Sequence, residues 1–87
     1  MWKIEFDIRV EKTLVKLDKT AVRRIRNYLI KVASGSDPRR FGRALQGPLK
    51  NLWRYRVGDY RIICKIEDQA LVVLVVAVGH RKDVYDT

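Results

Sequence analysis

Leu52-Trp53-Arg54-Tyr55-Arg56-Val57-Gly58-Asp59-Tyr60-Arg61-Ile62 alternates apolar and basic side chains on either side of a Gly-Asp pair. This is the pattern of two strands joined by a two-residue turn with glycine at its positive-φ position. Parity then sets Val57 opposite Tyr60 and Arg56 opposite Arg61. Trp53, Tyr55, Val57, Tyr60, Ile62, Cys64 and Ile66 share one face, which reads as core, while Arg54, Arg56, Arg61 and Lys65 share the other with Leu52 and Ile63. Like charges facing each other across a strand pair destabilise it by about a few tenths of a kcal/mol. Three long side chains fanning into water are one explanation of that face; their clustering points instead to a phosphate site.

Working outward, the 87 residues bound the chain to one domain, 1–87, with a single modest core. Lysine plus arginine number 19 against 10 acidic residues, a net charge of +9, which favours nucleic acid or another polyanion as partner. The charge is uneven. From Arg39 to Arg61 seven basic residues face one acid, Asp59, so this stretch holds +6 of the total. Arg39, Arg40, Arg43 and Lys50 in the approach to the hairpin, and Lys65 beyond it, are therefore the expected RNA-binding set around the arginines. The single cysteine, Cys64, falls on the core face and excludes a disulfide framework. The chain begins without the basic start and apolar run of a signal peptide, and its longest apolar run, Ala70 to Val78, is too short to span a bilayer. A cytoplasmic protein with no membrane partner, no cofactor and no metal is expected.

Upstream, Trp2, Ile4, Phe6, Ile8 and Val10 alternate with charged residues, which predicts a half-buried strand through Val10. A helix is expected from Glu11 to Leu17, then a second from about Ala21 to Ala33 with Asp18 or Thr20 as its N-cap. Val22, Ile25, Leu29 and Val32 form the stripe of that second helix, flanked by Ala21 and Tyr28, with Arg23, Arg24, Arg26, Asn27 and Lys31 largely away from it. Residue by residue this basic face reads as solvated; collectively it also suits a second contact to a large polyanion. Ser34 to Pro38 ends the helix, and Arg39 to Pro48 is a loop or short helical turn. Glu67-Asp68-Gln69 makes the next turn. The valine-rich run Ala70 to Val78, apolar on both parities, predicts a central strand covered on both faces and broken by Gly79. If the turn before it has two or four residues, His80 emerges on the arginine side. The fold class is α+β in two layers: a strand, an αα-hairpin, then a three-strand antiparallel meander.

With the residues laid out this way, Leu45-Gln46-Gly47 leading into Trp53 to Ile62, followed by Val78-Gly79-His80-Arg81-Lys82-Asp83-Val84-Tyr85, resembles the RelE/ParE superfamily of toxins from type II toxin-antitoxin systems, in its RelE-like branch. The resemblance covers nearly the whole chain. It implies a compact, microbial-ribonuclease-like fold that enters the ribosomal A site and cuts messenger RNA during translation. It also implies a cognate RelB-like antitoxin that wraps and blocks the toxin, and a higher-order complex of the two on operator DNA held through the antitoxin. Carried over by position, the reactive phosphate is held by Arg54, Arg56 and Arg61, aided by Arg81 and Tyr85; Lys82, next to Arg81, joins the expected RNA-binding set. The best-known RelE pattern carries lysines at the positions of Arg54 and Arg56, so a lysine base does not transfer.

The chemistry stands apart from the resemblance. Cleavage by the 2′-hydroxyl requires that group to lose a proton and attack the adjacent phosphorus, while charge builds on the phosphate oxygens and on the departing 5′-oxygen. Arginines stabilise that charge through a planar fork of permanent donors, but they are poor bases. His80, the only histidine, is the candidate for proton transfer, the alternative being a polar residue that ends a strand. Tyr85 suits stacking on a splayed base or protonation of the leaving oxygen. With no paired acid and base in the hairpin, the ribosome is expected to supply substrate alignment. Two other functions compete: a ParE-like DNA gyrase inhibitor on the same fold, against which Arg61, His80, Arg81 and Tyr85 together argue, and a noncatalytic RNA-binding or co-repressor protein.

Overall fold

A computed structural model describes residues 1–80. Arg81, Lys82 and Tyr85, expected at the site, lie outside the described residues.

The chain starts with β1 (Lys3–Phe6), and helix α1 (Ile8–Lys16) follows at once. The strand stops four residues before the apolar alternation does. Asp7 ends it: its carboxylate accepts a hydrogen bond from the Arg9 N–H at 2.8 Å while its carbonyl accepts from Val10 at 2.9 Å, closing the first turn of a helix. Val10 and Leu14 then fall one turn apart and are buried, whereas Ile8, expected in the core, is 68% exposed. Leu17 ends α1. Asp18 caps α2 (Lys19–Ser34), accepting from Ala21 N–H, and Ile25, Leu29 and Val32 are its buried stripe.

A strap follows. It comprises a 3-10 turn at Pro38–Arg40, the two-residue strand β2 (Arg43–Ala44) and a second 3-10 turn at Gly47–Leu49. Three side-chain bonds tie it down: the buried Tyr55 hydroxyl donates to the Pro38 carbonyl at 2.8 Å, the Trp53 indole N–H donates to the Phe41 carbonyl, and Arg39 forms a fork-to-fork pair with Asp68 at 2.7 and 2.8 Å. Tyr55→Phe is expected to lower stability by about 1–2 kcal/mol, because it takes the short 2.8 Å bond from the buried Pro38 carbonyl and leaves it only the Phe41 N–H at 3.4 Å. Equilibrium denaturation checks this, and an unchanged midpoint would contradict it.

The meander is β3 (Trp53–Val57), β4 (Tyr60–Glu67) and β5 (Val72–His80), and the sheet order is β1-β5-β4-β3-β2. β5 is interior because β1 adds to its far edge in parallel, Lys3 beside Val72 and Phe6 beside Val75, while all other pairings are antiparallel. Both helices pack on one face, where Val10, Leu14, Ile25, Leu29 and Val32 meet Tyr55, Val57, Ile62, Cys64, Val73, Val75 and Val78. Burial drives the Cys64 thiol's pKa upward, so it is packing rather than a nucleophile. On β5 the expected cover of both faces is partial: away from the helices Val72 is buried, but Leu74 and Ala77 are half-buried.

Gly79 does not break β5, which pairs on through Gly79 and His80. The turn between β4 and β5 has four residues, Asp68 to Leu71, the length at which His80 was expected on the arginine side. A bulge overturns that result. Cys64 pairs with Val75 but Ile63 with Ala77, so Val76 is an extra residue and every position beyond it changes face. Tyr60 therefore faces His80 and Arg61 faces Gly79, which places His80 on the helix side of the sheet.

Candidate functional site

The hairpin register is the one that parity predicts: Val57 opposite Tyr60, Arg56 opposite Arg61, Arg54 opposite Ile63. Gly58 takes φ +59 at the first turn position. The strap then adds a neighbour that the sequence placed only in a loop, since β2 pairs Arg43 directly with Arg54. Four arginines thus share the sheet face away from the helices, on three adjacent strands. Arg54 and Arg61 are half-buried; Arg43 and Arg56 are exposed. Leu45 and Ile63, each 4% exposed, give that face an apolar floor.

Among the described residues Arg9 pairs with Asp7 and Arg39 with Asp68, while Arg43 and Arg56 are in no ion pair. Arg56 lines two depressions. One, of 60 Å³, lies over the hairpin tip with Gly58, Asp59, Tyr60 and Arg61. The other, of 360 Å³, lies along the sheet edge with Tyr28, Gly42, Arg43 and Arg54. Asp59 is the one acid at the tip.

The remaining sequence candidates are dispersed. Arg39, committed to Asp68, clamps the strap to the β4–β5 turn, and the pair raises the pKa of the guanidinium and lowers that of the carboxyl. Arg40 is exposed on the first 3-10 turn. Lys50 and Lys65 line a separate depression of 620 Å³ at the other end of the hairpin, with Arg39 and Trp53. His80 leaves the sheet on the face opposite Arg61, with its ring edge-on to Tyr60 at 6.0 Å and 77°.

Two residues that the sequence placed on the second helix, but not at the arginine site, lie near it. Tyr28 of α2 packs against Phe41 at 6.3 Å and Tyr55 at 5.8 Å and lines the edge depression. Arg24, one turn earlier, lies over the hairpin tip: a Cβ at Gly58 would stand 3.1 Å from its guanidinium. Their i, i+4 spacing was the available signal, since it puts both on the flank of the buried stripe.

This arrangement can hold a phosphodiester on permanent cations and stabilise negative charge that develops on it. Comparison with known proteins gives it a family. A family model described as "ParE toxin of type II toxin-antitoxin system, parDE" matches residues 4–85. The chain belongs to this family of toxins, within the RelE/ParE superfamily. Toxin RelG of Mycobacterium tuberculosis (strain ATCC 25618 / H37Rv) is 35% identical over 49 residues, 56% of each chain, so the match spans about half of that curated relative. The isolated E. coli RelE toxin superposes with a TM-score of 0.75 at 22% identity, covering 92% of this chain and 84% of that one. The toxin-antitoxin complex RelBE2 of Mycobacterium tuberculosis gives 0.74 at 26% identity, with 94% and 93% covered. The α+β fold is thus the RelE fold, as the motifs implied.

Proposed function

We propose that this toxin is a ribosome-dependent endoribonuclease that cuts messenger RNA in the ribosomal A site and is neutralised by a RelB-like antitoxin. The observation that carries the reading is the row Arg43, Arg54, Arg56 and Arg61 on one sheet face, with Arg43 and Arg56 in no ion pair among the described residues. A fold that crowds like charges this way gains from an arriving polyanion. In the proposed reaction the 2′-hydroxyl attacks the adjacent phosphorus, a 2′,3′-cyclic phosphate forms, and the 5′-oxygen leaves with a proton. The arginine forks bind the non-bridging oxygens as their charge grows. Since the arginines are always protonated, proton transfer falls to other groups, and Tyr85 keeps that role as part of the proposal.

His80 fits a supporting role better than that of a base, because its ring packs on Tyr60 across the sheet from Arg61. His80→Gln is expected to keep the cleavage rate within about tenfold of wild type, whereas loss of a general base would cost about 10²–10⁴-fold. Single-turnover cutting of ribosome-bound messenger measures this.

The family model's ParE description supports a second reading, inhibition of DNA gyrase. Mapping transcript ends and DNA breaks after brief induction separates the two. New 5′ ends within translated codons are expected; intact transcripts with broken chromosomal DNA would transfer the function to gyrase.

A further inference from the structure

The edge of the sheet beside α2 carries, next to Arg43, Arg54 and Arg56 of the arginine row, two donors that the cleavage chemistry does not use, Tyr28 and Arg24. β2 pairs only with Trp53 and Arg54, so among the described residues β3 has no strand neighbour beyond Arg54, and the 360 Å³ depression opens there between the edge and α2. Its walls are Arg43, Arg54 and Arg56, the bare backbone of Gly42, and Tyr28. The Tyr28 ring is fixed by Phe41 and Tyr55, and its hydroxyl has no hydrogen-bond partner among the described residues. Burial raises its pKa, so the hydroxyl remains a neutral donor at physiological pH. Arg24, also in no ion pair among these residues, continues the positive edge to the hairpin tip.

We propose that this edge is a second phosphate subsite for single-stranded RNA, built from Tyr28, Arg43 and Arg56 and extended by Arg24, which holds the strand flanking the phosphate at Arg61. The proposal rests on the RNA reading above. Arg56 lines both depressions, so a strand lying on Arg61 passes into the edge site without crossing an acid other than Asp59. Forked cations beside a neutral hydroxyl match phosphate oxygens. A peptide strand would look for apolar anchors, and these lie elsewhere, in the groove of Leu14, Val15, Leu17, Val22 and Ile30 between the helices.

The test is binding of a short fluorescein-labelled 2′-O-methyl oligouridylate, which lacks the attacking hydroxyl, followed by anisotropy over a salt series. Arg43→Ala is expected to reduce the slope of log K against log salt by about 0.7, the value for one lost phosphate contact on a single strand. Arg24→Ala should act in the same direction. Tyr28→Phe should weaken binding about three- to tenfold at unchanged slope, because it removes a hydrogen bond and no charge. A general loss of structure would not separate affinity from slope in this way, and melting curves confirm folding of each variant. Wild-type slope and affinity in both Tyr28→Phe and Arg43→Ala would overturn the proposal. So would variants that bind this RNA normally but lose the cognate antitoxin, which would make the edge a protein-binding surface. A protein that binds the RNA through Tyr28 and Arg43 yet cuts no transcript would keep the subsite and lose the nuclease.

Discussion

Arg61→Ala is expected to slow transcript cleavage by about 10²–10³-fold, the loss typical when one preorganised donor to a developing oxyanion is removed. Arg61 is the residue of choice because of where β4 places it. Its cross-strand neighbours are Arg56 on one side and Gly79, which presents no side chain, on the other. It is half-buried, whereas Arg56 is exposed, so its charge is the less screened of the two and its fork the better fixed. The loss should fall on the chemical step in a reconstituted translation system under single-turnover conditions. Arg61→Lys should recover only part of the rate, because an ammonium restores the charge without the fork. A rate within about threefold of wild type for Arg61→Ala, in a protein that still melts normally, would remove the arginine face from the chemistry.

How far this site could be read from the sequence follows from where the side-chain pattern was informative. The hairpin was legible because Trp53 to Val57 and Tyr60 onward alternate strictly and Gly58-Asp59 admits one turn geometry, so register and arginine face follow from parity alone. For the second helix the sequence offered Asp18 or Thr20 as cap, and Asp18 takes the position. Between Ile8 and Val10 two periods coincide. Phe6, Val10 and Leu14 suit a helix as well as Phe6, Ile8 and Val10 suit a strand, and the Asp7 cap decides between them. The bulge at Val76 left no mark at all. In a run apolar on both parities an extra residue puts one valine where another would have been, so burial is preserved while the face of His80 changes. Arg43 beside Arg54, and Tyr28 against Phe41, are products of a strap whose path is set by tertiary bonds from Tyr55, Trp53 and Asp68, and no local pattern encodes those.

That strap makes the second large prediction. Gly42→Ala is expected to destabilise the protein by about 2–5 kcal/mol, the sum of a left-handed backbone penalty of about 1–2 kcal/mol and an overpacking cost of about 1–3 kcal/mol. Gly42 holds φ +71, and a Cβ there would stand 2.2 Å from the Arg54 carbonyl oxygen, 2.8 Å from the Tyr55 ring and 2.9 Å from the Trp53 indole nitrogen. None of these can yield cheaply: the oxygen belongs to the β3 backbone, and both rings are bonded to the strap itself. For a domain of this size the loss corresponds to a drop in melting midpoint of about 8 °C or more. Gly47→Ala supplies the control. Gly47 has φ +66 but nothing within 4 Å of its Cβ position, so only the backbone penalty applies. If the two variants lose the same stability, the close approach of strap to strand contributes nothing. If Gly42→Ala loses far more, hydrogen exchange should show the excess at Arg43 and Leu45, whose N–H groups face β3 in the antiparallel register. The same variant should then weaken RNA binding with a lower salt slope, because Arg43 keeps its place beside Arg54 only while Gly42 lets the strap lie against the strand.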